Sequence, residues 1–525
     1  MMLWDFGLPK AAWSVFEGST FNSGTAQLIT KTSKGIQMAF TSRRTLIQAA
    51  AAVPLAATTR VAFAQAPGGS STAPAKLAQA RDITRDLANY LVTATYDDLP
   101  SNVRKEGVRT LLNWVGVAIG GSHHQTVEIA VSALVPFSGP AQASLFGRRE
   151  RFDIINAAFI NGVSSHIFDY DDTHLKTIIH PAGPVASAII ALSEMRPVSG
   201  KEFLNALVLG VEIECRIGNA VYPNHYDVGW HITGTAGVFG SAAAVGKLLK
   251  LNEQQMVWAL GLAASQPVGL RESFGSMNKS FNPGRAASNG IFAAMLASKN
   301  FTSSDGMIEA KRGWANAIST KQDYSEIVGD LGKRYEAALN TYKPFACGIV
   351  MHPAIDAAIQ LRNENKLTAD QVERVDLKVH PLVLELTGKK NLREGLEGKF
   401  SIYHAVAVAL VEGAGGEKQF SDRAVKDPTV VGLRGKVNPV ITPGIETAQV
   451  DMTIVLKDGR QLHRHIEHAI GSVERPMTDQ QLEAKFTDLA DGIIPAPMIR
   501  RVMDACWNVE NLPDAAEIAK MSVSA

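Results

Sequence analysis

The sequence predicts a mainly α protein in which a large all-helical domain, discontinuous along the chain, carries an inserted smaller α+β lid domain. Three observations predict it. From about Asp82 to about Phe301 apolar residues recur at spacings of three and four. After Pro344 the period falls to two, and from Thr478 through Met503 the helical period returns.

Taken in order, residues 1–64 read as an extension followed by a twin-arginine export signal. Arg43-Arg44 precedes the apolar stretch Leu46 to Ala57, and Ala62-Phe63-Ala64 has the form of a cleavage site. Met38 stands where such a signal begins and is the expected start. Pro54 interrupts the apolar stretch, and a spanning helix needs roughly 20 mostly apolar residues, so stable membrane insertion is not expected. The expectation is therefore a periplasmic protein carried by the twin-arginine export machinery and cleaved near Ala64. The bland alternative is a chance arginine pair in a tail. Residues 65–80, rich in Gly, Ser and Pro, read as a linker.

Residues 81–343 and 476–515 form the expected helical domain. The stripe Val103, Val108, Leu111, Leu112, Val115 and Ile119 begins just after Pro100. Ser199 with Glu202, Asn252 with Gln255 and Thr478 with Gln481 have capping-box spacing, in which each side chain satisfies a free backbone N–H of the other. Residues 344–475 form the expected lid. Val372, Val375, Leu377 and Val379 approach the strand period, Val450, Met452, Ile454 and Leu456 follow it, and Asp458-Gly459 predicts a hairpin into a strand near Leu462 to Ile466.

The 525 residues are 46% hydrophobic and 20% charged, which excludes disorder for the bulk of the chain. Lys+Arg 52 against Asp+Glu 51 leaves a formal charge of +1, which argues against a nucleic-acid partner. Even that small excess is uneven. Residues 1–64 hold Lys10, Lys31, Lys34, Arg43, Arg44 and Arg60 against Asp5 and Glu17, so the body beyond them is mildly acidic. Cys215, Cys347 and Cys506 stand far apart, so neither a zinc knuckle nor a disulfide framework is encoded.

Chemistry concentrates in three clusters. His166-Ile167-Phe168-Asp169-Tyr170-Asp171-Asp172-Thr173-His174, followed by His180-Pro181, packs carboxylates and imidazoles into apolar surroundings where they lose solvation. Two functional readings stay open: magnesium held by Asp169, Asp171 and Asp172, or acid–base work by a histidine that a carboxylate orients. A third is capping of the helix near Pro181 by Asp171, Asp172 and Thr173. Gly229-Trp230-His231 opens a small-residue helix whose N-terminus favours an anion. Arg271, Lys279 and Arg285 lie in a stretch rich in Gly and Ser, expected to be a loop that traps carboxylates; the alternative is a solvated basic loop. His463, His465 and His468 read as an exposed strand face, His123-His124 as a solvated loop and His380 as a strand end.

Together, Asp169-Tyr170-Asp171-Asp172-Thr173 with His180-Pro181, Gly229-Trp230-His231, Asn278-Lys279 with Gly284-Arg285-Ala286-Ala287, and Lys343-Pro344-Phe345-Ala346-Cys347-Gly348 with His352-Pro353 resemble the MmgE/PrpD family. That family includes 2-methylcitrate dehydratase, cis-aconitate decarboxylase and iminodisuccinate epimerase. The resemblance runs from about Ala80 to about Val509. It implies a site free of cofactor and metal between the large domain and the lid, acting on small di- or tricarboxylates, usually in a homodimer. Position by position it implies that Asp169 and Thr173 line the pocket and that His180 is the principal proton-transfer group. His231 and Lys279 would hold or polarise carboxylates, and His352 and Tyr403 would close the site from the lid. Asn278, and Ser280-Phe281-Asn282-Pro283, depart from the family pattern beside the expected carboxylate trap.

The resulting expectation is a lyase that dehydrates a 2-methylcitrate-like acid or decarboxylates a cis-aconitate-like one. Epimerisation of an iminodisuccinate-like acid is the runner-up. A periplasmic carboxylate-binding protein without turnover would need the cations but not the acid–base cluster.

Overall fold

The computed structural model describes residues 82–523. The export signal and the linker expected at 65–80 lie outside the described residues. No helix among those described is long and apolar enough to cross a membrane.

Among the described residues ten α-helices lie up to Ser298: α1 Ile83–Thr93, α2 Ser101–Gly121, α3 Gln125–Leu134, α4 Ile154–His166, α5 Ala182–Met195, α6 Gly200–Val221, α7 Asn224–Val228, α8 Ile232–Leu248, α9 Glu253–Ala264 and α10 Asn278–Ser298, and the short helices Trp314–Ile318 and Ser325–Val328 follow. The stripe read on α2 is buried from Val103 through Ile119. Capping boxes close the starts of α6 at Ser199 and Glu202, of α9 at Asn252 and Gln255, and of the helix Asp479–Ala490 at Thr478 and Gln481. The last two helices of appreciable length, Asp479–Ala490 and Ala496–Trp507, return to the helical part, and Asp479–Ala490 packs on α2.

Small residues let this bundle pack closely where the chemistry sits. A Cβ on Gly162 of α4 would meet Gly284 Cα of α10 at 2.6 Å, and one on Gly284 would meet Phe159 O at 2.5 Å, so the two helices cross backbone against backbone. The crossing brings the last residue of α4, His166, against the first turn of α10, which carries Lys279.

Short strands occur where the sequence pattern predicts only helix and loop. β1 (Ala143–Ser144) pairs with β2 (Arg151–Phe152), and β3 (Asp172–His174) pairs antiparallel with β4 (Asn340–Tyr342). The second pair holds the acidic segment against Lys343. Beyond it lies a four-stranded sheet of β5 (Val372–Val379), β6 (Val437–Ile441), β7 (Val450–Leu456) and β8 (Gln461–Ile466), in the order β6-β5-β7-β8. β5 and β6 are parallel and the other pairs antiparallel, with Leu377 opposite Met452 and Val375 opposite Ile454. The turn between β7 and β8 carries Gly459 at φ +88°, as Asp458-Gly459 predicted. Helices His352–Asn365 and Ile402–Glu412 pack against this region, and β5 carries a bulge between Val372 and Arg374.

Two hydrophobic cores result. One fills the helical part from Ile83 to Ala519, and the other gathers mainly residues between Phe345 and Ala469. The second core also takes in Val117, Tyr170 and Leu489, so the two parts are knit together, and the described residues form one compact unit.

Candidate active site

The loop leaving α4 turns sharply at Asp169, whose φ of +50° lies in the left-handed region that Asp tolerates better than most residues. This turn points the carboxylate inward, where Oδ1 accepts from Lys279 Nζ at 2.9 Å and from Lys343 Nζ at 2.7 Å. Burial pushes the Asp169 carboxyl up, but the two ammonium groups outweigh it and hold it well below the usual carboxylate range. Burial lowers the pKa of Lys279, opposed by Asp169.

Three imidazoles surround this ion group. The rings of His166 and His180 stand 5.0 Å apart, and those of His166 and His231 5.8 Å apart. His166 Nδ1 donates to Asp171 Oδ2 at 2.5 Å, so its Nε2 accepts from Lys279 Nζ at 2.7 Å. His180 Nδ1 donates to the carbonyl of Asp172 at 2.8 Å, with Thr173 Oγ1 at 3.1 Å, and the backbone N–H of His180 is fixed on Thr233 Oγ1. That network assigns the tautomer and leaves His180 Nε2 as a lone-pair acceptor. His231 is held differently. Gly229, at φ +117°, ends α7, and the backbone N–H of His231 bonds to Gly269 O at 3.0 Å. Asn282 Nδ2 donates to His231 Nδ1 at 2.8 Å, so the proton of the neutral ring sits on Nε2.

Burial, reinforced by the neighbouring lysines, holds all three histidines well below their usual pKa. They are therefore neutral at neutral pH. One presents a lone pair and another an N–H in the cavity that two ammonium groups also line, which is the equipment for moving a proton next to a carboxylate.

Several expected residues fall into place around the cavity: Asp169, His180, His231 and Lys279 all line it. Others do not. Arg271 is bonded to Glu385 and to Tyr226 O and lies over the Tyr226 ring at 4.2 Å, so its charge is already matched. Arg285 is exposed on α10, and the supposed basic loop is helical from Asn278 onward. Thr173 is fully buried behind His180 rather than facing the cavity. His352 sits in the wall of a neighbouring cavity, with Nε2 3.4 Å from Cys347 O and its ring edge-on to Phe345. Tyr403 packs into the second core under Lys390, and Phe400 takes the lining position instead.

The three carboxylates of the acidic segment diverge. Asp169 meets the lysines, Asp171 meets His166, and Asp172 Oδ2 accepts from the Ala182 N–H at the start of α5 and from Asn340 Nδ2. Capping is thus the role of Asp172 alone, and the three do not share the common point a magnesium ion requires. His166, Asp169 and His180 do offer ligand atoms within 4.8 Å of one another. Asp169 is already the counter-ion of two ammonium groups, whose charge opposes a dication there, so the donor set does not fit a metal. On β8, His465 bonds to Asp451 and Glu467 at the surface, and His380 caps the helix after β5. His124 is half-buried and caps α3 rather than lying in a solvated loop.

Lys343, His166 and Asn282 stand in stretches that the sequence singles out, but sequence reasoning gave none of them a role in the site. Lys343 is 1% exposed and as close to Asp169 as Lys279 is. The signal that marks it is a lone lysine directly before Pro344 and the apolar stretch that follows.

The family model of the MmgE/PrpD N-terminal domain matches residues 85–327, and that of the MmgE/PrpD C-terminal domain matches residues 345–509. The chain belongs to the MmgE/PrpD family. Its relatives include the cis-aconitate decarboxylase of Aspergillus terreus (strain NIH 2624 / FGSC A1156), 25% identical over 471 residues that cover 84% of this chain and 95% of the relative. The cis-aconitate decarboxylase of Homo sapiens is 25% identical over 461 residues, covering 84% and 94%. The 2-methylcitrate dehydratase of Cupriavidus necator is 22% identical over 438 residues, covering 76% and 88%. Decarboxylases and dehydratases are both lyases, and this MmgE/PrpD chain is an enzyme of that class.

Proposed function

We propose that this protein removes CO₂ or water from a small di- or tricarboxylate by histidine acid–base catalysis, with lysine ammonium groups holding the substrate and no cofactor taking part. The observation that carries the proposal is the complementary pair of tautomers, a lone pair on His180 Nε2 and an N–H on His231 Nε2, in the cavity that Lys279 and Lys343 also line. In dehydration His180 takes the proton from the carbon next to a carboxylate, the lysines meet the enolate charge as it develops, and His231 gives a proton to the departing hydroxyl. In decarboxylation the C–C bond electrons pass to the neighbouring carbon framework as CO₂ leaves, and a proton from His231 neutralises that carbon.

Two histidines with complementary protonation also suit a second reading, inversion at a carbon next to a carboxylate. A panel of citrate, 2-methylcitrate, cis-aconitate and iminodisuccinate analogues, incubated with the protein in deuterated water and followed by NMR, separates these outcomes. The expected result is net loss of CO₂ or water from at least one acid. Deuterium exchange with inversion and no loss would favour the epimerase, and inertness toward the whole panel would overturn the proposal.

The proposal includes export. Arg43-Arg44 and Ala62-Phe63-Ala64 support a periplasmic enzyme cleaved near Ala64, and the family resemblance supports a homodimer.

A further inference from the structure

We infer that the acid taken by this site is a dicarboxylate bearing an apolar substituent, and that a second, outer cavity is the seat of that substituent. The inference rests on the lyase reading of the inner cavity and names the substrate class of that same site.

The first argument is a count of cations. Among the described residues lining the inner cavity, Lys279 and Lys343 are the only positive side chains, and the three histidines about it are held neutral by burial. Arg271 and Arg285, which sequence reasoning assigned to the trap, are respectively neutralised by Glu385 and exposed away from the cavity. Lys399, on the far side of Phe400, donates to Ala346 O and to Glu417. Two ammonium groups can each meet one carboxylate, even with Asp169 between them. A third carboxylate would meet no third ammonium group there, only neutral donors such as His231 Nε2–H, which offset less of its desolvation.

The second argument is the wall. Ile178, Ile349 and Val350 line the inner cavity, and these same three residues line the outer one. The inner space is about 20 Å³, room for about one water, whereas the outer one holds about 300 Å³. The inner space must widen to take a substrate, and widening it at this shared wall joins the two spaces. Ile178 stands at φ +60°, a conformation that strains a β-branched residue and that persists only where the surroundings impose it.

The third argument is the outer lining, in which Leu175, Tyr222, Pro353, Ala469 and Ile470 present apolar surface. Its lysine, Lys176, is paired with Glu326 at 3.1 Å. Thr447, Ser472 and His352 add a few polar groups, but the outer lining is mostly apolar and holds no unpaired cation, so it suits an alkyl group better than a carboxylate.

The test is calorimetric binding of maleate carrying hydrogen, methyl, propyl or pentyl at one vinylic carbon, beside cis-aconitate, with turnover followed separately by NMR. Affinity is expected to rise by about fourfold per added methylene until the outer cavity is filled, and cis-aconitate is expected to bind more weakly than the pentyl acid. Ala448→Trp and Thr447→Trp, at exposed or half-buried positions of the outer lining, are expected to abolish that rise. A flat or falling series, or tighter binding of cis-aconitate than of every alkyl acid, would overturn the inference even if cis-aconitate is turned over. A rising series without turnover of any acid would leave the apolar seat standing and retire the lyase reading.

Discussion

His180→Gln is expected to lower kcat/KM by about 10²–10⁴-fold on whichever acid the enzyme consumes, with the protein folded as before. His180 is held by its backbone N–H on Thr233 and by Nδ1 on the Asp172 carbonyl. Substitution leaves the backbone bond to Thr233 in place, so the loop between β3 and α5 retains that anchor. What is lost is the lone pair that accepts a proton. Neither neighbour replaces it: His166 has both ring nitrogens engaged, by Asp171 and Lys279, and His231 carries its proton on the nitrogen that the base would need free. Steady-state kinetics with circular dichroism as the folding control checks this. A fall of less than fivefold would remove His180 from the chemistry.

Lys343→Met is the second large effect, an expected fall of about 10²–10³-fold in kcat with thermal stability changed little. The magnitude is that of removing one preorganised charge from a water-excluded site. Methionine fills most of the volume, and Asp169 keeps Lys279 as counter-ion, so no buried charge is left alone. Because the ammonium meets charge that develops during reaction, kcat should fall more than KM rises. A purely structural lysine would instead show a lowered unfolding temperature with unchanged kcat.

Lys343 also marks the limit of what the sequence discloses. The helices were legible because burial imposes a period, and their starts because Ser199, Asn252 and Thr478 must satisfy free N–H groups locally. The β7–β8 hairpin was legible for the same reason, strict alternation into a turn at Asp458-Gly459. The β3–β4 pair was not, since three-residue strands carry no period and Asn340 reaches Asp172 across 168 residues of chain. That long-range pairing is what delivers Lys343 to Asp169.

The cluster at 166–180 was legible as chemistry, because carboxylates and histidines crowded in apolar sequence need a reason to be there. Its division of labour was not. Asp169, Asp171 and Asp172 look alike in sequence, yet one turns inward at φ +50° to the lysines, one orients His166 and one caps α5. Arg271 misled for the converse reason: its partner Glu385 is 114 residues away. A cation that is free in the sequence is matched in the fold.

The chemistry of the site requires three neutral imidazoles, two of them in opposite tautomers, beside paired ammonium groups. The measurement that tests it most directly is ¹⁵N NMR of histidine-labelled protein at pH 6.5, with His166, His180 and His231 assigned by single substitution. A free imidazole is half protonated there, but burial lowers these three pKa values, so each stays neutral at pH 6.5 and gains a proton only as pH falls further. The predicted spectrum shows His180 protonated at Nδ1 and His231 at Nε2. An imidazolium at either residue, or the same tautomer at both, would contradict it.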